Sequence, residues 1–398
     1  MALYIQHGAH KANKIDEAFN LNLADGVILS PKNEKKPENI VTTCEQIKSD
    51  FPEKKVLVDP QFHYSAFETD YEGHLSNYVF FQSELKRKDF LNPSRIQKYV
   101  EDVIDYQSSL SVSGLLSPTV LIRNFNDLYS HIALQLIAAT EDYVSKVNTS
   151  LPLFHSLVVS QDAFSSIADI DDMLNTLTTF DASGFYITID RTTKDYTQRF
   201  DSETLSKIMY FIYKLGVVNK FEIIIGYCDL VGLLFHAVGA ESSACGWYGS
   251  QRQFSTLRFA PSSGGNQPRP RYTSAPLLNS ILVFPEFDSA CNIGFADRVA
   301  SITDFDTELI KNRSTDDWDI KTSSLHHWQT LSSMFRYLDA TDSTEEKLSR
   351  VQALIEKAVE NYTVLQDNGV QFEANSNSKH LTDWLNSIEE FSRLTKIR

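Results

Sequence analysis

The sequence predicts an α/β protein, a (β/α)8 TIM-like barrel with an insertion after its third strand and a helical appendage at its C-terminus. Three observations lead there. Eight short, apolar, β-branched runs recur through the first 255 residues, and most are continuous rather than alternating, as in parallel strands covered on both faces. Segments of helical period lie between them, and such alternation with right-handed crossovers closes naturally into a barrel. The first run lacks a glycine-rich phosphate turn: "IQHGAHKAN" holds Gly8 alone instead of GxGxxG, which favours the barrel over an open doubly wound sheet.

The runs are ALYIQHG (2–8), DGVILSP (25–31), KVLVDPQ (55–61), PTVLIRN (118–124), FHSLVVSQ (154–161), GFYITID (184–190), FEIIIGYC (221–228) and ESSACGWYGSQRQFS (241–255). The helical segments include 127–147, 202–218 and 230–240, with Ser202 at the start of the second and Gly216 or Gly239 as stops. The long connection 62–117 contains HLSNYVFFQSELKRKDF and NPSRIQKYVEDVIDYQSSL, both read as helices. The second is capped by Asn92 or Ser94, with Pro93 in its first turn. An insertion there forms either a lid over the active face or a longer crossover pair.

The barrel is assigned to residues 1–259. A Ser, Gly and Pro-rich loop, APSSGGNQPRPRYTSAP, occupies 260–276, and the region 277–398 reads as mainly helical. Within it, 343–369 opens on a capping box of Ser343 and Glu346 and closes at Gly369. Its apolar stripe comprises Leu348, Val351, Leu354, Ile355, Ala358, Val359, Tyr362 and Leu365.

The net charge of −15 argues against a surface that adheres as a whole to nucleic acid or anionic lipid, so basic residues are judged by position. Cys44, Cys228, Cys245 and Cys291 form no CxxC, which argues against a zinc ribbon or a disulfide framework. No run of 18 apolar residues and no signal-like N-terminus occurs. The expectation is a soluble, cytoplasmic protein without membrane partners.

Barrel enzymes carry their reactive groups at the C-terminal ends of the strands. In VLVDP and ITIDR, Asp59 and Asp190 each follow an apolar run and are the candidate acid, base or nucleophile. The alternatives are a loop cap before Pro60 for Asp59 and a structural pair with Arg191 for Asp190. Candidate ligand-binding residues at the same ends are Gln6, His7, Lys32, Gln61, His63, Arg123, Asn124, Gln161, Arg191, Tyr227, Asp229, Trp247, Tyr248, Gln251 and Arg252, with Arg271 (and Arg269) from the Pro-rich loop.

Cations gathered at one mouth would select an anion through charge-assisted bonds, and Tyr227, Trp247 and Tyr248 would stack a base or sugar. His7, His10 and His63 are read as hydrogen-bonding groups instead of metal ligands, and no metal or cofactor is assigned. Cys228 and Cys245, ending adjacent strands, are read as small buried hydrophobes.

VLVDPQF (56–62) is distantly similar to the Asp-containing strand end of the base-exchanging tRNA-ribosyltransferase barrels. The likeness covers a handful of residues, the family's clustered-cysteine zinc motif is absent, and no family is assigned. The function expected is a barrel enzyme or binding protein for an anionic, nucleotide-like or nucleic-acid-end ligand, with glycosidic or phosphoryl chemistry by strand-end aspartates. Two alternatives stand beside it. One is a catalytically inactive sensor or assembly subunit, docking a protein partner through its C-terminal helices; the other is a metal-dependent hydrolase.

Overall fold

The computed structural model describes residues 2–67, 73–193, 195–259, 270–312 and 318–397. Nine parallel strands form one sheet: β1 (Ala2–Gln6), β2 (Gly26–Leu29), β3 (Lys55–Val58), β4 (Leu115–Leu116), β5 (Leu121–Ile122), β6 (Leu153–Ser160), β7 (Gly184–Asp190), β8 (Glu222–Gly226) and β9 (Ser242–Cys245). The order is β3-β2-β1-β9-β8-β7-β6-β4, with β5 also on β6.

The fourth barrel strand is thus split into β4 and β5. Pro118 lies in the break, where a residue without an N–H cannot serve a ladder. This moves the start of that strand back from the expected 118 to 115. The ring comes round between β4 and β3 through Ser113, whose N–H donates to the Val56 carbonyl (2.7 Å) and whose hydroxyl accepts from the Val56 N–H (2.9 Å). The result is a nearly closed (β/α)8 TIM-like barrel.

Its interior holds a layer with one side chain from each of the eight strand positions: Tyr4, Ile28, Leu57, Leu116, Phe154, Tyr186, Ile224 and Ala244. The opposite faces of the strands meet the helices in the main core. Both strand faces are therefore dry, which explains the continuous apolar runs.

The covering helices are α1 (Lys14–Asn20), α2 (Pro37–Asp50), α3 (Pro93–Ser108), α4 (Leu128–Val147), α5 (Ile167–Leu177), α6 (Ser202–Tyr213) and α7 (Gly232–Ala237). Asn92 caps α3 by accepting from the Ser94 N–H, with Pro93 next, as its sequence implies. The cap of α6 is Asp201, one residue before the expected start at Ser202, because its carboxylate accepts from the Thr204 N–H. The segment 74–90 is not a helix. It forms only short turns at Leu75–Asn77 and Arg87–Leu91, and its Tyr78, Phe80 and Phe81 are buried from irregular backbone.

Beyond the barrel come a hairpin of β10 (Arg271–Ser274) and β11 (Asn279–Leu282), then α8 (Asp288–Asn292), α9 (Thr307–Asn312), α10 (Ile320–Leu338), α11 (Thr344–Asp367) and α12 (Lys379–Thr395). The part of the Pro-rich loop at 260–269, including Arg269, lies outside the described residues, whereas 271–274 is strand. α10 packs on β1, α1 and α7, the place of an eighth barrel helix, while α12 lies on α6 and α11 on α7.

The stripe of α11 is buried within the chain at Leu348, Val351, Ile355, Ala358, Tyr362 and Leu365. Ser343 caps it, but the Glu346 carboxylate turns to Thr341 and Arg350, so only half of the expected capping box forms. Gly369 ends it at φ +88°. The four cysteines are buried and form no disulfide among the described residues. Among the described residues no helix is long and apolar enough to cross a membrane.

Candidate functional site

At the C-terminal end of the barrel the strand-end side chains fall into two groups. The first is a buried polar network over the barrel axis. The Gln61 side chain accepts from the Ser30 hydroxyl (2.9 Å) and the Lys32 N–H (3.0 Å), and donates to the Tyr227 hydroxyl (3.0 Å). Gln61 and Tyr227 both sit in the left-handed region, at φ +52°, a strained conformation for large side chains that is held by these contacts.

Asp59 accepts from the Gln61 N–H (2.9 Å), and the Tyr186 hydroxyl lies 3.3 Å from both Asp59 and Gln6. Burial pushes the Asp59 carboxyl up to about 6, against the opposing pull of the Gln61 and Tyr186 hydrogen bonds. Rings close this network from above: His63 packs on Tyr64, Phe67 and Phe254, and Tyr227 on Phe254. Burial drives His63 down to about 3, with the nearby Lys32 cation adding to the effect, so it is a neutral packing group.

Asp190 is committed to the same closure. Its two oxygens accept from the Thr256 N–H (2.7 Å) and the Thr256 hydroxyl (2.8 Å), while the Arg191 N–H donates to the Phe254 carbonyl (3.0 Å). Its carboxyl is raised by burial, with the Thr256 bonds and Arg123 opposing. The loop 251–256 is thereby stitched across the mouth. Gln251 is part of the stitching: its side chain accepts from the Tyr248 N–H and fills the space left by Gly246, whose Cβ would meet it at 2.3 Å.

The second group surrounds an open cavity of about 450 Å³ between the ends of β7, β8 and β9 and the C-terminal region. Of the residues singled out from sequence, Arg191, Tyr227, Cys228, Asp229, Trp247, Tyr248, Arg252 and Arg271 line it; Asp59 and Asp190 do not. Trp247 is mostly packed, donating to the Ala9 carbonyl and meeting Trp328 edge-on. Arg191 lies over the Phe200 ring, 3.4 Å from its centroid, and is held by Gln161. Arg271 is paired with Glu373 and bonded to Ser280. Arg252 donates to the Gly246 carbonyl (2.9 Å) and makes no ion pair among the described residues.

Asp229 is the carboxylate of this cavity. Burial raises it, while Arg252, the Leu230 N–H, Gln198 and Arg271 pull the other way. Behind it, Cys245 Sγ lies 3.0 Å from His327 Nε2, and His327 Nε2 lies 3.6 Å from Asp229 Oδ1.

The remaining sequence-derived candidates sit elsewhere. His7 accepts from the Ser30 N–H and faces Glu34; Lys32 bonds Tyr64; Arg123 and Asn124 are exposed in a turn. Tyr196, Gln198, Phe200, Asn279, Ser280, Ser323 and Asn375 also line the cavity, and none of them is a strand-end residue of the barrel. No protein-family model matches the chain, and the search of curated proteins finds no relative of it.

Proposed function

We propose that the chain binds a small anionic ligand bearing a ring, of the nucleotide class, in the cavity at the β7–β8–β9 rim. The observation that carries the reading is the convergence of Arg191, Arg252 and Arg271 with Tyr196, Tyr227, Trp247 and Tyr248 on one concave site, in a chain whose net charge is −15. Guanidinium groups recognise phosphate or carboxylate through charge-assisted, often bidentate bonds, and rings beside them give a planar base a stacking surface. The hydroxyls and amides of Ser250, Ser280, Ser323, Asn279 and Gln253 supply the orienting polar contacts.

Where turnover follows binding, glycosidic or phosphoryl chemistry falls to Asp229, the carboxylate that lines the cavity among the described residues. Burial raises its carboxyl above the ordinary carboxylate range, against the pull of Arg252 and the Leu230 N–H, which is the direction proton transfer favours. Asp59 and Asp190 then support the mouth instead of touching ligand. Docking of a partner on the α11 stripe is less favoured, since six of its eight residues are already buried by this chain and Val359 alone is exposed.

Thermal-shift measurements with nucleoside mono- and diphosphates, unphosphorylated nucleosides and inorganic phosphate test the reading, since a ligand of the native state raises the melting temperature by mass action. The phosphorylated nucleosides are expected to stabilise most. R252A should weaken their binding about 10- to 100-fold, the worth of a charge-assisted hydrogen bond. Failure of every phosphate-bearing compound to shift the transition, or wild-type affinity in R252A, overturns the proposal.

A further inference from the structure

The groups behind the cavity wall bring a thiol, an imidazole and a carboxylate together from three separate elements. Asp229 follows β8, Cys245 ends β9, and His327 comes from α10, one turn along the face that presents Ser323 to the cavity. One ligand atom from each lies within 4.8 Å of the other two, the one such Asp/Cys/His group among the described residues. His327 Nε2 faces both Cys245 Sγ at 3.0 Å and Asp229 Oδ1 at 3.6 Å. One hydrogen bond links His327 to Cys245, and Asp229 Oδ1 accepts from the Leu230 N–H (2.8 Å), so what sets the trio apart is the convergence of three ligand atoms of different chemistry. A cation between them serves all three.

We infer that Asp229, Cys245 and His327 form a zinc site at the back of the rim cavity. Zinc–ligand bonds of 2.0–2.3 Å in a tetrahedron separate neighbouring donor atoms by about 3.3–3.8 Å. His327 Nε2 is 3.6 Å from Asp229 Oδ1, within that range, and 3.0 Å from Cys245 Sγ, so a bound ion requires the thiolate to move back by a few tenths of an ångström. Thiolate, imidazole and carboxylate together select zinc over the hard, oxygen-seeking cations.

The outer contacts are those such a site requires. His327 Nδ1 is 2.8 Å from the Thr273 hydroxyl, which fixes the ring and leaves Nε2 to the metal. The Trp328 indole donates to the Cys245 carbonyl (3.0 Å), and His326 Nε2 sits 2.9 Å from the Thr273 carbonyl, locking α10 against β9 and β10. Three protein ligands leave a fourth position, and Asp229 borders the cavity from which water or a ligand oxygen would fill it. Zinc binding displaces the Cys245 thiol proton to solvent. The charges of thiolate and carboxylate then cancel that of the ion, and Arg252 keeps the neighbourhood positive toward an anion.

The site shares Asp229 with the nucleotide reading, and a carboxylate held by the metal stays ionised and takes no part in proton transfer. It is tested without nucleotide, so that its failure and the failure of that reading are distinguishable. Full-length protein stripped with a chelator is titrated with Co2+ and then Zn2+, following thiolate-to-cobalt charge-transfer absorption and metal content by mass spectrometry. Wild type is expected to take up a single equivalent of Co2+ with a thiolate band that Zn2+ removes. C245S should abolish the band, C228S should keep it, and H327Q, D229N and T273V should each weaken affinity at least about tenfold.

Circular dichroism identifies any variant that does not fold. If C245S is lost in this way, D229N, at the cavity wall, and T273V, which leaves all three ligands in place, decide the matter. Absence of stoichiometric metal in wild type, a band that survives in C245S or disappears in C228S, or unchanged affinity in folded D229N and T273V overturns the inference.

Discussion

Replacement of Asp59 by Asn isolates the energetic consequence of a carboxyl placed on the barrel axis. Asp59 is 4% exposed, and burial lifts its carboxyl from an ordinary 3.8 to about 6. At 1.36 kcal/mol for each tenfold change in proton affinity, the charged form is penalised by about 3 kcal/mol in the folded state. The native state holds this proton more tightly than the unfolded chain does. Stability from this group is therefore complete below about pH 4, declines as pH rises toward 6, and is at its minimum above that.

Asn is neutral throughout and can keep the contacts. Its oxygen accepts from the Gln61 N–H, and its amide donates to the Tyr186 hydroxyl, which then donates to Gln6. D59N should match wild type near pH 4 and exceed it by about 3 kcal/mol above pH 7. Denaturant midpoints for both proteins between pH 4 and 8 measure the difference. A gap that is flat with pH, or that favours wild type increasingly at high pH, would refute the reasoning, since either result places the folded-state carboxyl at or below its ordinary value.

Two further substitutions probe the closure of the barrel. G184A drives a Cβ to 1.9 Å from the Glu222 carbonyl across the β7–β8 pairing; the backbone must separate there, and a stability loss above about 3 kcal/mol is expected in urea unfolding. D190A leaves the Thr256 N–H without its acceptor, which should cost about 1–3 kcal/mol. Faster limited proteolysis within 251–256 would show that the loop has been released, and an unchanged cleavage pattern would show that Asp190 does not hold it.

The barrel was legible because parallel strands with two dry faces write continuous apolar runs, and Gly184 to Asp190 is one such run in both sequence and structure. The fourth strand was displaced in the reading because Pro118 interrupts it, so its residues Leu115 and Leu116 lie before the expected start. The segment 74–90 read as a helix because its aromatic spacing imitates an apolar face; in the structure Tyr78, Phe80 and Phe81 reach the core from turns.

At the site, strand-end position pointed to Arg191, Tyr227, Asp229, Trp247, Tyr248 and Arg252, because a parallel barrel brings those ends to one rim. It gave no means of separating residues around the cavity from those spent on sealing the axis. Tyr196 and Gln198 on a βα loop, and Asn279, Ser323 and His327 from the C-terminal region, depend on how distant segments dock, for which local periodicity contains no signal.

The position of α10 bears on how the molecule is made. In a simple barrel each strand is followed at once by its own cover, but here the outer wall beside β1 and α1 is supplied by Ile320–Leu338, long after β9 has ended at Cys245. During synthesis the ring of strands is therefore complete in sequence while one flank still lacks its partner, and that flank stays greasy until residue 338 has cleared the ribosome. A chain ended between Cys245 and Ile320 is expected to leave that apolar flank bare and to associate with itself, where the full chain does not.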